Sequence, residues 1–274
     1  MVYIHATRRF VLVDWSAYPI PSDCVQIIRP CRETEQPANP RLFKTHQRLS
    51  AINGGARYLV VVREPSKTAL SWYNFLKDKD VPPLRKYWDT PGGTGVSGFV
   101  QDPGFFAPPG GMRFGGTLWE YYAEFAACLS DPTVLVLAYE DLVTDLRGHL
   151  PLIAGFMGLD GLTDARADEV AVMGSKSFMS SPEHASKFDE SWTFKRLAEL
   201  ERSTNEQRDS FRPAPRVHLK AHTDTLDPKA QACLEEWWEA GMPANIPDYA
   251  ALVQKIRAEH ARRGHSPTAA AASL

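Results

Sequence analysis

Two uninterrupted apolar runs, Tyr58-Leu-Val-Val-Val62 and Thr133-Val-Leu-Val-Leu-Ala-Tyr139, constrain the fold most, because each leads straight into a segment with helical spacing. A strand with one face in water alternates apolar and polar residues, so continuous runs of this kind need cover on both faces. Ser66 to Lys77 reads as the helix after the first run. Thr117 to Leu129, with Leu118, Tyr121, Tyr122 and Phe125 at helical spacing, precedes the second, and a helix through Phe156 follows it. The repeated strand-then-helix order predicts an α/β fold, a parallel sheet flanked by helices. With 274 residues and 43% apolar content the chain can bury one sizeable core. A single domain over residues 1–257 is expected, with 1–40 irregular and 258–274 a disordered tail.

In the first forty residues the only strand-like run is Phe10 to Val13, and Pro19, Pro21, Pro30, Pro37 and Pro40 forbid a long helix. Residues 90–116 are rich in glycine and proline around Phe99, Phe105 and Phe106, and read as a long lid or substrate loop. Further helices are expected around Ala165 to Met173, Asp189 to Gln207 and Pro228 to Ala240.

The 31 basic and 33 acidic side chains nearly cancel, so no global field favours nucleic acid or an anionic membrane. Any anion site must be local. Cys24, Cys31, Cys128 and Cys233 contain no Cys-x-x-Cys pair, which points away from a metal or redox motif and toward a reduced, cytoplasmic setting. The early apolar run is too short for a signal-peptide core, and no segment reaches 18 apolar residues.

Two segments carry local chemistry. Arg63-Glu-Pro65-Ser66-Lys67 closes the first run and opens the next helix, with Ser71 one turn beyond Lys67. Helix N-terminal N–H groups flanked by Arg and Ser donors suit a phosphate, and Pro65 near the first turn leaves no needed donor unsatisfied. Upstream, Lys44 and His46 are two apart on an extended segment, so both can point to one reacting centre.

At these residues the chain resembles the cytosolic-type sulfotransferases. Tyr58 to Phe75 is similar to that family's 3′-phosphate-binding segment, with a serine eight residues after the arginine, and Lys44-Thr45-His46 resembles its Lys-Thr-His. Val134 to Leu142 resembles the Tyr-Glu-Asp strand end, and Ser177-Phe178 with Pro182 resembles a segment that packs around the nucleotide. The resemblance implies a P-loop nucleotide-kinase-like core and transfer of a sulfuryl group from 3′-phosphoadenosine 5′-phosphosulfate to an acceptor hydroxyl or amine, without a metal. It implies His46 as general base, Lys44 as a cation at the sulfuryl oxygens, and Arg63 and Ser71 at the 3′-phosphate. Tyr139, Ser177 and Phe178 would border the adenosine. Phe105, Phe106, Trp119 and Tyr122 are placed around a small-molecule acceptor by position.

The N-terminal phosphosulfate loop of the family is not recognisable: Val11 to Ser22 contains Tyr18-Pro19 but neither the lysine, the glycine nor the paired threonines. Pro21 there removes a backbone donor. The family's closing Arg-Lys-Gly loop has a counterpart without glycine at Pro215 to Ala221, where Arg216, His218 and Lys220 carry charge; Arg216 and Lys220 are the candidates. These departures leave a second expectation, a non-catalytic or truncated relative that binds nucleotide or serves a structural role. The absence of Gly-x-x-x-x-Gly-Lys-(Ser/Thr) speaks against a third reading, a general P-loop kinase.

Overall fold

The computed structural model describes residues 2–6, 41–45, 48–51, 55–78, 82–89, 94–102, 117–184 and 224–265. Strands β1 (Val2–Ala6), β2 (Arg41–Thr45), β3 (Arg57–Val62) and β4 (Val134–Ala138) form one sheet in the order β2-β1-β3-β4. The two apolar runs supply the parallel pair, with Tyr58 opposite Val134 and Val62 opposite Ala138. β1 is antiparallel to both β2 and β3, and Tyr3 stands opposite Lys44 on one side and Leu59 on the other. The expected parallel arrangement is therefore extended by two antiparallel pairs, through a five-residue strand too short to announce itself by periodicity. The strand-like run at Phe10 to Val13 lies outside the described residues. Since β1 reverses twice, β2 runs in the same direction as β3 and β4, and all three deliver their carboxyl ends to one edge of the sheet.

Helices α1 (Pro65–Asp78), α2 (Gly95–Gln101) and α3 (Leu118–Ala127) follow β3, and α4 (Tyr139–Thr144), α5 (Leu146–Met157), α6 (Asp164–Met173) and α7 (Lys176–Met179) follow β4. Two later helices are α8 (Pro228–Gly241) and α9 (Tyr249–Arg262). Tyr58, Val60 and Val62 turn one face of β3 into the core, whereas β4 is buried along its whole length. That face packs with Tyr73 of α1, Phe99 of α2, Phe125 of α3, Trp238 of α8 and Ile256 of α9 in one cluster. Each such side chain contributes about 1.5–3 kcal/mol on burial. Leu135 and Leu137 point to the opposite face by alternation and are equally sealed.

The helix starts follow from their caps. Thr117 and Glu120 form a reciprocal box at α3, with Thr117 Oγ1 accepting from Glu120 N at 3.1 Å and Glu120 Oε2 accepting from Thr117 N at 2.7 Å. Asp227, just before Pro228, accepts from Ala230 N, and Asp248 accepts from Ala251 N.

Three expectations are corrected. Residues 90–116 are not loop throughout: α2 buries Val96, Phe99 and Val100, an i, i+3, i+4 stripe obscured by surrounding glycines, and Phe99 meets the rings of Tyr73 and Tyr87. The helix expected through Phe156 breaks at Asp145, whose backbone leaves the helical region and whose carboxylate accepts from Gly148 N at 2.8 Å to start α5. The tail expected from residue 258 begins too early, because α9 continues to Arg262. Leu252, Ile256 and His260 form its buried stripe, and a His260 ring nitrogen bonds Val136 O at 2.7 Å. The helix expected at Asp189 to Gln207 lies outside the described residues.

Candidate active site

Neighbouring parallel strands end at Val62 and Ala138, so Arg63 and Tyr139 leave the sheet side by side at its carboxyl edge. In open α/β sheets, ligands bind outside the carboxyl ends of the strands. The Arg63 guanidinium lies over the Tyr139 ring, 4.6 Å from its centroid, and that ring is 40% exposed. Among the described residues, buried Arg63 Nε has no hydrogen-bond partner. A buried cationic donor left unmatched is costly in a finished core, but it suits a site that receives an anion beside a planar ring.

The main chain below this side chain is held from three helices. Tyr122 of α3 donates its hydroxyl to Arg63 O and accepts from Arg63 N at 3.0 Å. Glu140 of α4 accepts from Glu64 N at 3.2 Å, and Tyr249 of α9 donates to the same carboxylate at 2.6 Å. Burial pushes the Tyr122 phenol up to about 12, and burial together with Glu140 raises that of Tyr249, so both stay protonated donors at neutral pH. Next to Glu140, buried Asp141 takes two bonds from Arg257, at 2.6 and 3.0 Å. This ion pair raises the Arg257 pKa further.

The start of α1 differs from the expectation that its free N–H groups form the phosphate site. The Glu64 carboxylate accepts from Ser66 N at 2.9 Å, Ser66 Oγ at 2.6 Å and Lys67 N at 2.9 Å, which is a self-supplied cap. An anion at this edge must be met by side chains instead. Ser71 is exposed on α1, on the same row as Lys67 and roughly 9 Å along the helix from Pro65.

Lys44 lies on β2, in a backbone row with Tyr3 and Leu59. That is two strands from β3, roughly 10 Å away. His46 lies outside the described residues, one residue past the carboxyl end of β2. Ser177 and Phe178 sit on α7: Ser177 is exposed with Oγ 3.1 Å from Ser175 Oγ, and the Phe178 ring is tilted against that of His184, with centroids 4.0 Å apart. Phe105, Phe106, Arg216 and Lys220, together with the stretch at Val11 to Ser22, lie outside the described residues.

Two acceptor-side expectations are corrected. Trp119 is fully buried, with its ring edge-on to Trp238 at 6.2 Å, and Tyr122 is buried on the Arg63 main chain. Both lie on the core-facing stripe of an amphipathic helix, and the same spacing that located α3 implies this orientation. Glu64, Glu140 and Tyr249 were not singled out by the sequence. Glu64 had a signal, an acidic residue just ahead of a helix-opening proline, whereas Tyr249 joins Glu140 across 109 residues.

The model of the sulfotransferase domain matches residues 8–242, and the chain belongs to this family. Among curated proteins it is 29% identical over 166 residues to sulfotransferase 6B1 of Danio rerio, covering 57% of this chain and 49% of that protein. It is also 29% identical over 131 residues to sulfotransferase 6B1 of Pan troglodytes, covering 44% of this chain and 37% of the relative. The chain thus spans about half or less of the length of these relatives. The fold is similar to that of mouse sulfotransferase SULT7A1 complexed with PAP, with a TM-score of 0.51 and 17% identity over 76% of this chain and 68% of that one. Among the described residues no helix is long and apolar enough to cross a membrane.

Proposed function

We propose that this chain is a sulfotransferase that moves a sulfuryl group from 3′-phosphoadenosine 5′-phosphosulfate to the hydroxyl or amine of a small-molecule acceptor. One observation carries the reading: a guanidinium with an unspent buried Nε, laid over a half-exposed aromatic ring where two parallel strands end. That pairing fits a phosphate next to a purine, and the solved relative bound to PAP supports the same ligand class. Arg63 and Ser71 are assigned to the 3′-phosphate, with Arg216 and Lys220 closing over it. Tyr139, Ser177 and Phe178 are assigned to the adenosine, and Phe105 and Phe106 to the acceptor. One charge-assisted contact such as that of Arg63 contributes about 1.5–3 kcal/mol.

The co-substrate supplies the activated sulfuryl group. His46 takes the acceptor proton as the acceptor oxygen or nitrogen bonds to sulfur and the sulfur–oxygen bond to the nucleotide breaks, and Lys44 offsets charge on the sulfuryl and leaving oxygens. Positioning and charge stabilisation carry most of such a transfer. Calorimetric titration with 3′-phosphoadenosine 5′-phosphate, followed by a sulfation assay on a phenol and amine panel, tests the reading. His46→Ala is expected to lower turnover about 10²–10⁴-fold and leave nucleotide affinity unchanged. Wild-type protein that fails to bind the nucleotide would overturn the proposal, and binding without turnover would favour a non-catalytic relative.

A further inference from the structure

Arg63 lies one residue past the end of β3, where the sheet ladder no longer supplies partners for its peptide groups. The Tyr122 hydroxyl bonds both, accepting from Arg63 N and donating to Arg63 O, while Thr68 Oγ1 is a second, longer donor to Arg63 O at 3.4 Å. The following residue is fixed in the same way from another direction, because Glu140 accepts from Glu64 N and is itself held by Tyr249. Two helices distant in sequence therefore bond these two residues, a third braces one of them through Glu140, and the guanidinium that leaves them carries a donor unmatched among the described residues.

We infer that Tyr122 is a positioning residue for the anion-binding arginine: its hydroxyl clamps the Arg63 main chain and so aims the guanidinium at the 3′-phosphate, with Glu140 and Tyr249 completing the clasp. The inference rests on the proposed nucleotide site, and it replaces the acceptor-lining role that the position of Tyr122 suggested. A long side chain binds an anion tightly only if its root is fixed beforehand, since otherwise the ordering cost is met at the moment of binding. Tyr122 touches neither phosphate nor acceptor in this scheme. Its effect must therefore pass through Arg63.

The test compares two nucleotides that differ only in the 3′-phosphate, 3′-phosphoadenosine 5′-phosphate and adenosine 5′-monophosphate. Dissociation constants are measured by calorimetry for wild type, Tyr122→Phe, Arg63→Ala and the double variant. Tyr122→Phe is expected to weaken the 3′-phosphorylated nucleotide about 3- to 10-fold, to leave the monophosphate unchanged, and to add nothing in the Arg63→Ala background. The KM for the acceptor should not move. An unchanged ratio of the two affinities in Tyr122→Phe would overturn the inference, as would an equal loss in the Arg63→Ala background. A wild-type protein indifferent to the 3′-phosphate would instead remove the nucleotide-site reading and this inference with it. If Tyr122→Phe does not fold, Tyr249→Phe probes the same clasp through Glu140, with a smaller change expected in the same ratio and an unchanged ratio counting against the inference.

Discussion

Two guanidiniums stand near the ends of the parallel strands and have opposite fates. Arg257 reaches from α9 to Asp141 and spends two donors on its carboxylate, at 2.6 and 3.0 Å. Arg63 leaves β3 with a buried Nε that meets no acceptor among the described residues. The first arrangement is closed, so its energy belongs to folding. The second is open, so its energy is available to a ligand. One sheet edge thus holds a spent charge and an unspent one, and the difference is visible in which hydrogen-bonding capacity has been used.

Removing the structural partner should have the largest effect. Asp141 is 2% exposed, so Arg257→Ala leaves a buried carboxylate without its counter-charge, a change that typically costs about 3–5 kcal/mol. Urea denaturation should show a large drop in midpoint at unchanged slope. Arg63→Ala, by contrast, should leave that midpoint close to wild type, because no ion pair among the described residues depends on it. Equal destabilisation by both variants would break the comparison.

α9 fastens β4 at a second point, and this one responds to pH. Burial pushes the His260 imidazole down to about 4, and its ring nitrogen bonds Val136 O. The groups facing it are the rings of His149 and His265, each with its centroid 6.2 Å away, and Arg263, which also disfavours a charged imidazole. A histidine held below its unfolded value binds fewer protons folded than unfolded. Its contribution is therefore complete above about pH 6.5 and is lost as pH falls toward 4, amounting to up to about 3 kcal/mol. His260→Gln keeps a donor for Val136 O and cannot titrate, so melting temperatures should fall less steeply between pH 6.5 and 4. An identical slope in the variant would assign the acid lability elsewhere.

The same contrast explains what could be read in advance. The runs at Tyr58 and Thr133 and the helices that follow them are local, periodic features, and the Arg63 and Tyr139 positions sit at fixed offsets from them. The partners of the closed ion pair lie 116 residues apart, and no local pattern joins Asp141 to Arg257. β1 escaped notice because five residues carry little periodicity, and α2 because glycines flank its apolar stripe. Trp119 and Tyr122 were misassigned although the signal was present: aromatic residues on the apolar stripe of a helix turn inward before they line a pocket. The free N–H groups expected at α1 were taken by Glu64, one residue before the proline that helped to mark the helix start.

The smallest effect expected is also the one that most sharpens the distinction. Tyr139 gives no hydrogen bond to the Arg63 guanidinium; it offers a ring face 4.6 Å away, partly open to water. A cation over an aromatic face at such a site is worth about 0.5–1 kcal/mol, and the ring also offers a stacking surface to a purine. Tyr139→Leu should therefore weaken 3′-phosphoadenosine 5′-phosphate only about 2- to 5-fold, with no more than a small drop in the urea midpoint from the lost cation–ring contact. Adenosine 5′-monophosphate should lose affinity by a similar factor, because a stacked base feels the missing ring with or without a 3′-phosphate. A loss confined to the 3′-phosphorylated nucleotide would mean instead that the ring acts by steadying Arg63, and that the purine lies elsewhere along the carboxyl edge.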